Sequence, residues 1–234
     1  MISLQQLRQN ILQVESEISR TLAKVGRTRE DLMLVAVTKL QPTNVLNMAL
    51  DCGLVHLGES KAQEAIDKRE KIYREADWHF IGHLQSNKVK YIAGKFSLIH
   101  SVDSLPLADE LEKRCSRENT VQKILIQVNT SGEESKYGVP PQSALSLINQ
   151  IAGHQHLEIR GMMTIGRFAA DEDEIRSEFR MLRKLFDEAK SLEHPSINMS
   201  YLSMGMTQDF KIAIEEGANI IRIGTALFGT RNYR

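Results

Sequence analysis

The sequence predicts an α/β protein that folds as a single-domain (β/α)8 barrel of the TIM type. Eight short apolar runs, rich in β-branched residues, alternate with segments of helical spacing, a pattern typical of parallel strands buried on both faces. The length of 234 residues is large for one ordinary domain but usual for such a barrel. We therefore expect one domain over residues 1–234. An open doubly wound sheet is the alternative, because the number of strands does not prove that the sheet closes.

The predicted strands recur along the whole chain. They are residues 32–39, 54–60, 78–82, 97–102, 124–129, 157–165, 199–204 and 220–224. Glycine ends two of the intervening helical segments, at Gly53 and at Gly217, where a left-handed helix cap favours glycine. The longest insert, residues 170–192, has apolar positions three and four apart and predicts an amphipathic helix.

An extra helix is predicted before the first strand. Its apolar positions share one helical face, and they are Leu4, Leu7, Ile11, Val14, Ile18 and Leu22. Little chain follows the eighth strand, so we expect this N-terminal helix to cover the eighth position of the outer ring of helices.

Composition excludes several classes of partner. Thirty basic and thirty acidic side chains cancel, so no global field attracts nucleic acid or an anionic membrane. Cys52 and Cys115 form no CxxC pair, which indicates a reducing compartment, and the histidines show no spacing typical of a metal site. Because no apolar stretch is long enough to span a bilayer and no signal peptide is evident, we expect a cytoplasmic protein.

Lys39 is the first candidate for chemistry. It follows the apolar run 32–38 and so ends a buried strand, at the face of a barrel that carries active sites. Partial desolvation of an amine lowers its pKa and frees its lone pair for imine formation. The alternative is a strand-end lysine that extends into solvent.

The ends of the seventh and eighth strands have the composition of a phosphate cup. Gly205 and Gly224 allow backbone amides to approach an anion, and Ser203 and Thr225 add hydroxyl donors. A helix that begins near Thr207 would direct its free N–H groups to the same place. The alternative is that Gly205 is only a turn glycine and Thr207 only a helix cap.

Arg222 lies within the apolar eighth strand and needs a partner. Strand alternation places its side chain on the opposite face from Ile221 and Ile223, and an unpaired buried arginine costs several kcal/mol. The partner is either a carboxylate, such as Glu59, or a ring nitrogen of a bound cofactor. A lysine amine, a phosphate cup and a buried arginine match the aldehyde, phosphate and pyridine nitrogen of pyridoxal 5′-phosphate (PLP).

Four segments carry a resemblance to a known family. Residues 36–39, 78–88, 203–206 and 222–229 read AVTK, WHFIGHLQSNK, SMGM and RIGTALFG. On these segments, which span nearly all of the chain in order, the sequence resembles the PLP homeostasis protein family, single-domain relatives of the alanine racemase N-terminal barrel.

The resemblance implies a set of cofactor-binding residues. Lys39 would form a covalent aldimine with PLP, and Arg222 would face the pyridine nitrogen. The phosphate would be held by four residues, Ser203, Gly205, Gly224 and Thr225. No catalytic residue and no metal ligand is assigned. After Gly58-Glu59 the family usually has asparagine, whereas this chain has Ser60, so that contact to the cofactor edge is not carried over.

The resemblance further implies a cytoplasmic monomer that binds PLP, masks its aldehyde and maintains vitamin B6 and amino acid balance without robust catalytic turnover. Apo-PLP enzymes are candidate recipients, and Lys136 is a candidate acceptor for transimination, with a solvated loop lysine as its alternative. A weak PLP-dependent racemase or lyase is the main alternative. Racemisation by two bases needs a second group, which alanine racemase takes from a second domain and a partner subunit. A Schiff-base aldolase and a protein-interaction scaffold are further alternatives.

Overall fold

The computed structural model describes residues 2–167 and 171–230. Within these residues, eight parallel strands follow one another around a closed barrel. They are β1 (Met33–Val37), β2 (His56–Glu59), β3 (Asp77–Phe80), β4 (Leu98–Val102), β5 (Gln122–Gln127), β6 (Leu157–Met163), β7 (Ile197–Ser203) and β8 (Ile220–Ile223). Strand β8 pairs with β1, with Arg222 beside Val35 and Ile223 beside Ala36. This pairing confirms the predicted barrel and excludes the open sheet.

Helices cover the outside of the barrel. They are α1 (Leu4–Lys24), α2 (Thr43–Asp51), α3 (Ala62–Arg69), α4 (Val89–Ile92), α5 (Leu105–Glu118), α6 (Ala144–Ile151), α7 (Glu172–Ala189), α8 (Phe210–Glu215) and α9 (Thr225–Phe228). The 170–192 insert contains α7 as predicted, and Ala170 itself lies outside the described residues, as do Met1 and residues 231–234 of the predicted domain. Within the described ranges, no helix is both long and apolar enough to cross a membrane.

The strands match their predicted positions, with one informative difference. Strand β1 ends at Val37, and the chain turns at Lys39 and Leu40. The backbone amide of Gln41 donates to the carbonyl of Thr38 at 2.9 Å, and Leu40 has a φ of 63°. Lys39 therefore lies in a tight turn above the strand, not in the strand itself.

Helix α1 occupies the predicted place in the outer ring. Its buried apolar face includes Leu7 and Ile18, which belong to the main core. The side-chain amide of Asn10 donates to the carbonyl of Leu227 in α9 at 2.8 Å, and Lys211 of α8 lies 3.6 Å from Glu17. The N-terminal helix thus packs beside the last strand, where the four-residue α9 is too short to cover the barrel.

The barrel interior has an apolar lower layer and a polar upper layer. The lower layer consists of buried side chains from five strands: Val35, Leu98, Leu125, Met163 and Ile220. Strand alternation places the next inward residues one layer higher, toward the carboxyl ends of the strands. There the interior changes from hydrocarbon to hydrogen-bonding groups, including His100, Ser203 and Arg222. The chemistry of the molecule is therefore concentrated at one end of the barrel.

Candidate functional site at the barrel mouth

Lys39 lies half-buried at the mouth of the barrel, two residues beyond β1. The pairing of β1 with β8 puts Val37 next to Gly224, whose added Cβ would lie 3.3 Å from Val37 Cβ. Lys39 and the loop after β8 thus share one edge. Leu40 occupies the left-handed region without being glycine, which costs on the order of 1–3 kcal/mol, and such strain is typical of functional sites.

A buried polar network supports the Lys39 turn from outside the barrel. Lys68 Nζ donates to the Thr38 carbonyl and to Glu59 Oε1, both at 2.7 Å. Thr38 Oγ1 donates to the same carboxylate oxygen at 2.6 Å, and Lys68 also pairs with Glu64 at 2.6 Å. Burial raises the pKa of Glu59, although the hydrogen bonds from Lys68 and Thr38 oppose this shift. The network fixes the backbone just before Lys39.

The sequence analysis did not identify Lys68. Its only signal is position, since Ala62, Ala65 and Lys68 share the buried face of α3. A lysine on a buried helix face needs an acceptor, and Glu59 at the end of the adjacent strand provides one.

Arg222 is buried inside the barrel, on the face that alternation predicted. Its Nη1 donates to Ser203 Oγ at 2.6 Å, and its Nη2 donates to the carbonyl of Thr164 at 2.7 Å. Burial lowers the pKa of Arg222 to about 10, opposed by the nearby carboxylate of Asp209, so the guanidinium stays charged at neutral pH. Glu59 is engaged by Lys68 outside the barrel wall, so the structure gives Arg222 other partners than that carboxylate.

Ser203 lies wholly within the barrel. Its hydroxyl accepts from Arg222 and also contacts His100 Nδ1 at 3.0 Å. The side chain therefore lies below the loops that form the predicted phosphate cup. A phosphate contact from Ser203 Oγ would require the hydroxyl to leave these two partners.

Three histidines continue from Ser203 across the interior. His100 Nε2 lies 2.9 Å from His79 Nδ1, and His79 Nε2 lies 3.3 Å from His56 Nδ1. Burial lowers the pKa of His79 to about 3 and lowers that of His100 well below its ordinary value. Both rings are thus neutral at physiological pH. The sequence analysis missed this row, although period-two alternation puts all three on the inner face of β2, β3 and β4.

The loops after β7 and β8 meet as predicted. The amide of Ala226 donates to Thr207 Oγ1 at 3.3 Å, and the amide of Arg222 donates to the Gly205 carbonyl at 3.0 Å. Thr225 is exposed at the rim and Gly224 is half-buried beside it. These loops therefore lie side by side at one edge of the barrel mouth.

Gly205 is required for this close packing. Its φ is +92°, and an added Cβ would lie only 2.5 Å from the Cβ of Ala213 in α8. Any side chain at this position would push the loop after β7 away from the helix that follows it.

The predicted helix start at Thr207 is wrong. Helix α8 begins at Phe210, after a turn over residues 207–209, and Thr207 serves as a link between loops. The carboxylate of Asp209 accepts a hydrogen bond from the Met206 amide and so closes this turn, which precedes the helix. Burial raises the pKa of Asp209, opposed by that amide and by Arg222.

The opposite rim is formed by the loops after β5 and β6. Lys136 Nζ pairs with Glu133 at 2.6 Å and donates to the Gly166 carbonyl at 2.9 Å. Arg167 Nη2 donates to the Ser131 carbonyl at 2.6 Å, and the hydroxyls of Thr130 and Thr164 lie 2.9 Å apart, so several hydrogen bonds connect these loops. Lys136, which the sequence analysis proposed as an acceptor for transimination, thus links the loops after β5 and β6.

Ser60 directly follows β2. Its backbone packs tightly on Gly82, where an added Cβ would lie 2.2 Å from the Ser60 carbonyl oxygen. Over residues 2–167 and 171–230, no cluster of His, Cys, Asp and Glu side chains is placed to hold a metal ion.

Sequence comparison identifies close relatives. The family model described as alanine racemase, N-terminal domain, matches residues 2–232. A pyridoxal phosphate homeostasis protein of Aquifex aeolicus is 41% identical over 226 residues, which cover 96% of this chain and 98% of the relative.

Structural comparison agrees with the sequence. The PipY protein of Synechococcus elongatus, solved with PLP bound, superposes with a TM-score of 0.79 at 32% identity, covering 91% of this chain and 100% of that one. An alanine racemase of Clostridium difficile has a TM-score of 0.76 at 14% identity, covering 98% of this chain and 58% of the racemase. The racemase likeness concerns the fold alone.

The neutral buried histidines predict a pH-dependent stability. A histidine with an ordinary pKa of 6.5 binds a proton in the unfolded chain, whereas His79 with a pKa of about 3 stays neutral when folded. The free energy of unfolding should therefore fall as the pH drops below 6.5, by up to about 1.4 kcal/mol per pH unit for each such residue. Glutamine does not titrate, so His79→Gln should lower the slope of the unfolding free energy against pH. Between pH 6.5 and roughly 5 the slope should fall by up to about 1.4 kcal/mol per pH unit, the contribution of one bound proton.

Urea unfolding at a series of pH values measures this slope. His194→Gln is the matched control, because His194 is exposed and should leave the slope as in wild type. An identical slope in His79→Gln and wild type would contradict the assignment of His79 as a buried neutral ring.

Proposed function

The chain belongs to the pyridoxal phosphate homeostasis protein family, and we propose that it binds PLP at the barrel mouth, covalently through Lys39, to maintain vitamin B6 and amino acid balance. The main support is the placement of Lys39, Arg222 and the loops after β7 and β8 at one end of the barrel. The relatives named for PLP homeostasis and the PLP-bound PipY structure support the same reading.

The residues present fit the cofactor by the chemistry of their donors. Arg222 can only donate hydrogen bonds, which suits an unprotonated ring nitrogen. The backbone amides near Gly205 and Gly224, together with the exposed residue Thr225 and its hydroxyl donor, suit a phosphate. When bound, PLP supplies an aldehyde that condenses with an amine and a ring that withdraws electrons.

Each of the chain's own groups then has a defined task. Lys39 Nζ supplies the amine, and the strained turn held by Lys68 and Thr38 keeps that amine over the edge shared with β8. Arg222 orients the ring from inside the barrel. We assign Ser203 to Arg222 and the phosphate to Gly205, Gly224 and Thr225, because the Ser203 hydroxyl is already bonded within the interior.

We further propose that the protein is a carrier without robust turnover. The charge on Arg222 persists at neutral pH, because its pKa of about 10 is still far above 7. A cation beside the ring nitrogen opposes protonation of that nitrogen, which weakens the ring as an electron sink. We expect the carrier to act in the cytoplasm and to supply PLP to apo-PLP enzymes. We expect it to be a monomer, and light scattering on the purified protein measures this oligomeric state.

Borohydride reduction tests the anchoring residue. Incubation with PLP, reduction and peptide mass mapping should give a pyridoxyl adduct on Lys39 in the wild type, because reduction traps the carbon–nitrogen bond formed by its amine. Lys39→Ala should lose this adduct, whereas the rim variant Lys136→Ala should retain it on Lys39. Absence of any adduct on wild-type Lys39 after incubation with excess PLP would overturn the proposal.

Hydrogen exchange in D2O separates a carrier from a weak racemase or lyase. A panel of L-amino acids incubated with the PLP-loaded protein should show no α-deuterium incorporation above that caused by free PLP, because we assign no second base to the far face of the cofactor. Nuclear magnetic resonance of the amino acids measures the exchange. Exchange that is catalytic in protein and lost in Lys39→Ala would favour the enzymatic alternative.

A further inference from the structure

A row of hydrogen-bonded side chains lies beneath the barrel mouth, and the proposed function gives its histidines no role. It runs from Arg222 Nη1 to Ser203 Oγ over 2.6 Å, from Ser203 Oγ to His100 Nδ1 over 3.0 Å, and from His100 Nε2 to His79 Nδ1 over 2.9 Å. It continues over 3.3 Å to His56, which is partly exposed at the amino-terminal end of β2. Strands β2, β3, β4 and β7 thus each contribute one side chain to a row of hydrogen bonds that ends at Arg222 in β8.

Neutral imidazoles make this chain directional. A neutral ring has one nitrogen that donates and one that accepts, so each contact dictates the next. His79 and His100 are both buried, and this burial lowers the pKa of each ring, so we expect both rings to carry a single proton at neutral pH.

Ser203 determines which direction is taken. Its oxygen accepts from Arg222, and its own hydroxyl proton then needs an acceptor, which His100 Nδ1 provides. In this arrangement His100 carries its proton on Nε2 and donates to His79 Nδ1. His79 likewise carries its proton on Nε2 and donates to His56 Nδ1, which also lies 3.5 Å from the carboxylate of Asp77. A hydroxyl that donates to one partner is a stronger acceptor for another, since successive hydrogen bonds polarise each other.

We propose that His100, oriented by His79 and His56, is a positioning residue that keeps the Ser203 hydroxyl as an acceptor for Arg222 and so aims the guanidinium at the ring nitrogen of bound PLP. The link to PLP rests on the proposed function, whereas the row of hydrogen bonds from Arg222 to His56 does not.

Alternative uses of the row fit the structure less well. The ring nitrogens lie 2.9 and 3.3 Å apart, which is hydrogen-bonding distance, and the described residues provide no metal-binding cluster here. Simple filling of the interior would not require three successive rings to meet nitrogen to nitrogen. The edge-to-face arrangement of the rings, with 68° between His79 and His100, directs nitrogens toward one another instead of stacking ring faces.

Nuclear magnetic resonance of the ¹⁵N-labelled protein without PLP tests the chain by itself. Long-range imidazole spectra should show His79 and His100 neutral, with both protons on Nε2. The His79→Gln and His100→Gln spectra assign the two signals. A proton on Nδ1 of His100, or a doubly protonated ring at neutral pH, would overturn the proposal whatever the result of PLP binding.

Two substitutions of His100 separate positioning from packing. The asparagine amide oxygen can take the place of Nδ1 and keep an acceptor for Ser203, whereas the glutamine amide takes the place of Nε2 and keeps only the contact to His79. His100→Gln should weaken PLP binding by roughly tenfold more than His100→Asn, because only the former leaves the Ser203 proton without its acceptor. Exposed His194→Gln is the control and should bind as wild type does.

The affinity comparison uses spectroscopic titration of each folded variant with PLP. Equal weakening in the two His100 variants, or greater weakening in His100→Asn, would overturn the positioning role. If wild type bound no PLP, the proposed function would fail, while the imidazole spectra would still decide the direction of the chain.

Discussion

The charge of Arg222 inside the barrel is the constraint on which the rest of the site depends. A guanidinium that is 4% exposed must be paired, because removing an unpaired charge from water costs several kcal/mol. Its partners come from distant strands, the carbonyl of Thr164 after β6 and the hydroxyl of Ser203 in β7. Closing the sheet brings these groups together, so the fold and the site are specified by the same contacts.

The division of the barrel interior follows from this charge. The lower layer is hydrocarbon, which supplies stability by burial, and the upper layer is a connected set of hydrogen-bonding side chains. A partly satisfied network would be worse than an apolar core, so the row from Ser203 to His56 extends to the partly exposed end of the barrel. Outside the wall, the separate network of Lys68, Glu59 and Thr38 holds the turn that presents Lys39. In the proposed complex, the two networks would support Lys39 and Arg222 on either side of the PLP ring.

Much of this arrangement could be predicted from the sequence, for physical reasons that differ from residue to residue. Continuous apolar runs specify buried parallel strands, and the period of two placed Arg222 on the inner face correctly. The turn that contains Lys39 could not be predicted, because Leu40 adopts a left-handed conformation that its residue type disfavours. The predicted start of α8 near Thr207 falls in a turn over residues 207–209, and a helix boundary of this kind is not fixed by local residue type. Lys68 was missed because its acceptors, the carboxylate of Glu59 and the carbonyl of Thr38, lie outside its own helix, and the local residue pattern does not reveal such contacts.

In the proposed complex, Arg222 faces the ring nitrogen of PLP and holds it unprotonated. The ¹⁵N chemical shift of ring-labelled PLP bound to the protein measures this state directly. We expect the shift of an unprotonated pyridine nitrogen that accepts a hydrogen bond at neutral pH, since Arg222 stays charged with a pKa of about 10. The shift of a protonated pyridinium would contradict it, because two cationic donors cannot face one another in a buried site.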